Sequence, residues 1–170
     1  QAASIGGVVS LPAGAFRIEG SLSVPRGVTL QGSWESSVHY ITLENNTTLL
    51  VTGGRGDEEG TAAITLTSSS GVRGLTIAYP EQTLPDVAPY PWAILAAGYS
   101  ISIENITFIN AYQGIRLCVT QSSLHYVNNV YGCVLRRGLY VDASYDIGRI
   151  QNVHFNEHHY ARVEHFNRLY

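Results

Sequence analysis

A four-residue pattern returns along this chain at a nearly fixed interval: an aliphatic residue, any residue, Asn or Gly, then an aliphatic residue. It reads Val72-Arg73-Gly74-Leu75, Ile103-Glu104-Asn105-Ile106, Val127-Asn128-Asn129-Val130 and Ile150-Gln151-Asn152-Val153. The step from Asn105 to Asn129 is 24, the step from Asn129 to Asn152 is 23, and Gly74 precedes Asn105 by 31. The surplus falls on residues 80–91, where Pro80, Pro85, Pro89 and Pro91 mark an inserted loop. A second series keeps the same beat. Gly114-Ile115-Arg116-Leu117 precedes Gly138-Leu139-Tyr140-Val141 by the same step as Asn105 precedes Asn129, and Ala161-Arg162-Val163 follows Gly138 by 23. Each copy alternates apolar and polar residues, the period of a strand with one buried face. A unit this short cannot bury its own apolar side. Stacking equivalent strands about 4.8 Å apart makes a continuous core, so the repeat predicts an all-β solenoid of roughly seven coils at ~24 residues each. Asn105, Asn129 and Asn152 are expected to stack as an inward ladder of amides bonding to one another and to turn backbone.

Bulk properties narrow the function classes. At 170 residues the chain suits one domain, and its charged fraction of 14% is low. The net charge of −3 gives no general attraction to nucleic acid or to an anionic membrane. All ten basic residues are arginine. Mechanisms that need a lysine base, a Schiff base or a P-loop lysine are therefore excluded. Cys118 and Cys133 do not amount to a disulfide framework, and their state is left open. No apolar run approaches the ~20 residues of a membrane-spanning helix.

The opening stretch carries a family resemblance. Gly6-Gly7-Val8-Val9-Ser10-Leu11-Pro12-Ala13-Gly14-Ala15-Phe16-Arg17-Ile18 followed by Leu22-Ser23-Val24-Pro25-Arg26-Gly27-Val28-Thr29-Leu30-Gln31-Gly32 resembles the first coils of the pectate-lyase superfamily. Phe16 stands where that family often has Tyr. The segments around Pro89-Tyr90-Pro91-Trp92, Ala111-Tyr112-Gln113-Gly114-Ile115 and Arg136 to Arg149 are similar to bacterial β-helix proteins of lyase-like or glycosidase-like type. The resemblance implies a right-handed, single-stranded parallel β-helix in a secreted or extracellular protein that acts on an acidic or plant-type polysaccharide. That superfamily usually has a capping helix before its first coil, and only Gln1-Ala2-Ala3 offers a remnant of one. The expectation is therefore a portion of a longer protein, or ends covered by a partner or a second copy, because an uncapped strand edge invites pairing.

With inward residues committed to the core, chemistry is expected on outward side chains and loops. Arg116, Tyr140 and Arg162 fall on one outward row; Thr76, Thr107, Tyr131 and His154 fall on another. Aromatic rings stack on sugar faces and guanidinium forks bind carboxylates, so Arg116, Tyr140, Arg162, Arg136, Arg137 and Trp92 are the candidate substrate-binding residues. Asp142 and Asp146 are the nearest pair of carboxyls for glycosidase chemistry, with Arg149 and His154 close by in sequence, and these four are the candidate catalytic residues. His154, Glu157, His158, His159 and His165 match no tight metal-ligand spacing. No cofactor is called for; calcium at the acidic run Asp57-Glu58-Glu59 is the one ion the sequence admits. The Arg55-Gly56-Asp57 triplet reads as loop, and Asn46 and Asn105 fit glycosylation acceptors. The rival reading is a structural, adhesive or self-assembling extracellular module.

Overall fold

The computed structural model describes residues 5–35 and 45–162. Its strands are β1 (Gly7–Ser10), β2 (Gly14–Ile18), β3 (Leu22–Val24), β4 (Val28–Gln31), β5 (Thr47–Val51) and β6 (Ile64–Leu66), then β7 (Gly71–Ala78), β8 (Trp92–Ala96), β9 (Ser102–Leu117), β10 (His125–Val141) and β11 (Gly148–Phe155). Every pairing between them is parallel. The pairings fall into three rows. The first joins β1, β4 and the leading halves of β7, β9, β10 and β11, so that Val9, Leu30, Val72, Ile103, Val127 and Ile150 stand in register. The second aligns Phe16, Leu49, Ile77, Phe108, Gly132 and Phe155. The third aligns Leu22, Ile64, Ile94, Ile115 and Leu139.

These three stacks face one another. Val72, Ile103 and Val127 of the first row, Leu49, Ile77 and Phe108 of the second, and Ile64, Ile94 and Ile115 of the third belong to one apolar core. The molecule is thus a strongly curled parallel sheet wrapped around its own inward side chains, an arrangement consistent with a β-helix. The first row displays the logic of stacking: Ile103 and Val127 are fully buried, whereas Val9 and Ile150 at its two ends are 38% and 39% exposed.

The recurring Asn or Gly marks the corner between the first and second rows. Gly74, Asn105, Asn129 and Asn152 all have φ between 52° and 71°, the left-handed region that glycine and asparagine enter most readily. The asparagine amides do stack: Asn129 Nδ2 donates to Asn105 Oδ1 at 2.9 Å, and Asn152 Nδ2 donates to Asn129 Oδ1 at 3.2 Å. They do not point inward as expected. Asn105 and Asn129 are half-buried and Asn152 is exposed, because a left-handed residue turns its side chain toward the corner rather than the core.

Gly132 solves a different packing problem. It occupies a core-facing position between Phe108 and Phe155, and with no side chain there the two rings, from coils two steps apart, approach to 6.4 Å between centroids. A Cβ at this position, where φ is +129°, would collide with the Phe108 carbonyl.

Two expectations change. Ala161 does not continue the series of Ile115 and Leu139. Its backbone N–H donates to Asn110 Oδ1 at 2.9 Å and its carbonyl accepts from Asn110 Nδ2 at 2.6 Å. Ala161 packs on Leu50, Ala78 and Ile109, the side chains pointing out from the second row. After the 3-10 turn at Glu157–His159, then, the chain lies across the outside of the sheet. The inserted loop 80–91 is also more ordered than a plain surface loop. Gln82 is fully buried and clasps Ala88 in both directions, at 2.7 and 2.9 Å, and Tyr90 packs edge-on against Tyr79. Gln1-Ala2-Ala3, Val163 and His165 lie outside the described residues.

Replacing Asn129 with Ala removes two amide hydrogen bonds and leaves a Cβ-bearing residue at φ 55°. Urea unfolding is expected to show a loss of about 2 kcal/mol for Asn129→Ala and a smaller loss for Asn129→Gly, which keeps the backbone preference.

Candidate functional site

Strand parity places the site. On β9 and β10, Ile115 and Leu139 enter the core, so their neighbours Arg116 and Tyr140 face out and pair with each other in register. Arg116 Nη2 donates to Asp142 Oδ2 at 2.9 Å, and its guanidinium carbon lies 5.9 Å from the centre of the Tyr140 ring. Trp92, at the start of β8, tilts its ring toward Tyr140 at 6.1 Å and is itself mostly buried. Arg116 Nε is buried without a hydrogen-bond acceptor, so the guanidinium retains unused donor capacity beside the ring pair.

A second group lies on the same row. Adjacent residues of a regular strand point to opposite faces. The ladder between β9 and β10 shifts register between Val134 and Arg137, and this irregularity brings both Arg136 and Arg137 against one carboxylate, that of Glu58. Arg136 forms an ion pair with Glu58 and donates to the Tyr112 hydroxyl at 2.7 Å, with its guanidinium 5.5 Å from the Tyr112 ring centre. Arg137 Nη1 lies 3.9 Å from Glu58 Oε1 and donates to Gln113 Oε1 at 3.3 Å. The Tyr112 hydroxyl donates to Glu58 Oε2 at 3.3 Å, and Gln113 Nε2 donates to the Glu58 carbonyl at 3.2 Å. Glu58 arrives from the loop between β5 and β6.

Five of the six anticipated binding residues, Arg116, Tyr140, Arg136, Arg137 and Trp92, therefore share one outer face of β8, β9 and β10. Arg162 does not join them, because Ala161 is held at Asn110 on the outside of the second row. The other anticipated groove, along Thr76, Thr107, Tyr131 and His154, is largely covered. Trp34 stacks on Tyr131 and its indole N–H donates to Thr107 Oγ1 at 2.8 Å, while Thr76 is buried. Tyr112 and Gln113 were readable in principle, since each stands one full repeat before Arg136 and Arg137 and so one coil below them. Nothing in the sequence ties Glu58 to Arg136, 78 residues away.

The four candidate catalytic residues are distributed over the coil. Asp142 follows the third row and is engaged by Arg116; Asp146 lies in the exposed turn before β11; Arg149 pairs with Tyr126 in the first row; His154 pairs with Tyr131 in the second. No hydrogen bond or ion pair links any two of the four among the described residues. The ring of His154 stands edge-on to that of His159 at 6.5 Å. Among the described residues no group of three or more His, Cys, Asp or Glu side chains is arranged to hold a metal ion.

A separate cavity of about 330 Å³ opens where the β2–β3 and β5–β6 connections meet, lined by Glu19, Ser21, Asp57, Thr61 and Tyr79 among others. Burial drives the Tyr79 phenol well above its ordinary range, and burial together with the Glu81 charge pushes Tyr90 up to about 12. Both are neutral hydrogen-bonding groups near neutrality rather than bases. Cys118 and Cys133 are free buried thiols, and burial raises Cys133 to about 11, which leaves it unreactive as a nucleophile at neutral pH. Cys118 Sγ lies 3.5 Å from His125 Nδ1.

No protein-family model matches the chain, and comparison with curated proteins and with solved structures yields no match.

His125 supplies a pH prediction. Burial lowers its pKa below the ordinary 6.5, so the folded protein favours the neutral ring and the unfolded chain binds the proton better. The stability this residue contributes is whole above about 6.5 and is lost as pH falls through that value toward the lower folded one. Urea midpoints are expected to drop between pH 7.5 and 5, with a shallower drop in His125→Gln.

Proposed function

We propose that this protein is a carbohydrate-active right-handed parallel β-helix that binds an extracellular, acidic or plant-type polysaccharide along the outer face of β8, β9 and β10. The observation that carries this reading is the alternation of arginines and rings on one flat face: Trp92, Tyr140 and Arg116 in one group, Tyr112, Arg136 and Arg137 in the other. A strand spacing of about 4.8 Å offers a contact at each coil, a repeat commensurate with a chain of sugar rings. Rings supply stacking surface, and guanidinium groups supply charge-assisted, directional bonds to carboxylates. The opening residues that resemble the pectate-lyase superfamily, and the repeat itself, support the same class of fold and a secreted setting. The described first row already holds six strands toward the roughly seven coils read from the repeat.

If the polymer is also cleaved, lyase chemistry suits the face better than glycosidase chemistry. A lyase needs positive charge against a uronate carboxylate, which this face has in quantity. A glycosidase needs two carboxyls confronting one bond across roughly 5–9.5 Å, one of them protonated. Asp142 is committed to Arg116, which favours its charged form.

A second reading has its own observation. Val8 of β1 is 53% exposed, and Ile147 and Ile150, at the start of and within β11, are 68% and 39% exposed. Apolar side chains on the two outermost strands suit further stacking, either of more coils of a longer chain or of a second copy, as in a structural or self-assembling module.

Polyuronates and neutral polysaccharides should be compared by titration calorimetry, with absorbance near the unsaturated-uronate band and a reducing-end assay run on the same mixtures. Acidic polymers are expected to bind selectively. Arg116→Ala and Tyr140→Ala should each weaken binding about tenfold, and new absorbance lost in Asp142→Ala would assign lyase chemistry with Asp142 in it. Silence across the panel, together with a sedimentation mass that grows with concentration, would replace this reading with the assembly one.

A further inference from the structure

The carboxylate of Glu58 sits where a ligand carboxylate would sit. Two guanidinium groups and one phenol converge on it, from Arg136, Arg137 and Tyr112. The convergence is built into the sheet: Arg136 and Arg137 are consecutive, and only the register shift on β10 aims both at one point. Such irregularities in a ladder characteristically re-aim side chains at functional positions.

What fills the point is not part of the sheet. Glu58 belongs to the connection between β5 and β6, which carries Gly53, Gly54, Gly56 and Gly60, with Gly54 and Gly56 at φ +79° and +89°. Besides the contacts of its own side chain, the connection is tied to the face through the Glu58 carbonyl, which accepts from Gln113, and through Gly56, whose N–H donates to the Pro89 carbonyl at 2.8 Å. Its other ion pair, Arg55 with Glu81, is long at 3.9 Å and lies between half-exposed side chains. Exposed pairs of this kind hold weakly. The side chains of the Glu58 group are themselves accessible, at 23% for Glu58, 38% for Arg136 and 45% for Arg137, so an incoming anion can reach them.

We infer that Arg136, Arg137 and Tyr112 form a carboxylate-binding subsite that Glu58 occupies as an internal stand-in, and that the carboxylate of an acidic saccharide binds by displacing it. The inference rests on the proposed acidic-polysaccharide reading and adds to it a specific subsite and a built-in competitor. The exchange trades one carboxylate for another, so the arginines are never left without a counter-charge. Binding then lifts the β5–β6 connection from the face and opens a continuous path from Arg136 to Tyr140.

The test uses a linear trimer of galacturonic acid as probe, with a neutral galactose trimer as control, on the wild-type chain, Glu58→Gln and Glu58→Asp. Gln removes the competing charge; Asp keeps it but withdraws it by one methylene, and it serves if Gln compromises folding. Circular dichroism establishes which variants are folded. The acidic trimer is expected to bind either folded variant about three- to tenfold more tightly than wild type, with no change for the neutral trimer, and Arg136→Ala in the Glu58→Gln background should abolish the gain. If wild type binds the acidic trimer and the folded variants bind it equally or more weakly, Glu58 is a structural tie and the inference falls while the acidic-polysaccharide reading stands. If neither wild type nor variants bind it, both fall together.

Discussion

The left-handed corner at Gly74, Asn105, Asn129 and Asn152 is the constraint on which the remainder of the structure depends. A strand can be extended indefinitely by alternation alone; what turns it onto a new row is one residue per coil with positive φ. Glycine accepts that conformation because it has no Cβ, whereas asparagine accepts it and also carries an amide that bonds to the coil above and the coil below. The corner therefore performs two tasks at once. It bends the chain so that Ile103 and Ile106 both enter the core, and it fixes the register of each coil on the next. Register is the more demanding requirement, since a slip by one residue would turn every core side chain outward.

From that register the candidate site follows with little freedom. Once Ile115 and Leu139 are in the core, Arg116 and Tyr140 must be outside and neighbours, and Trp92 must stand beside them on β8. This much was legible in the sequence, because a repeat of constant length converts a linear spacing into a spatial one. The asparagine ladder was legible for the same reason, although its direction was not: alternation suggests an inward side chain, and only the backbone conformation shows that a left-handed residue points along the corner.

The remainder was hidden where the chain leaves the repeat. Ala161 falls at the right interval to extend the third row, yet Asn110 offers both an amide donor and an amide acceptor on the outer face and captures its backbone. Spacing cannot foresee a side chain that imitates a strand edge. Trp34 likewise covers Thr107 and Tyr131 from a connection that carries no periodic signal. Glu58 belongs to the same category, as does the cavity lined by Glu19, Asp57 and Tyr79, since loops are placed by contacts that no local pattern encodes.

The hold of Glu58 on Arg136 has one more consequence, for how the stack comes apart. In a solenoid each coil touches only its neighbours, so a load applied along the axis can strip coils one at a time. Glu58 follows β5 and Arg136 lies on β10, and the strands β7, β8 and β9 are threaded between them. A tie that skips over intervening coils works like a stitch across a stack of sheets: the pull on the outermost layer is shared by every layer it spans, and they yield together or not at all.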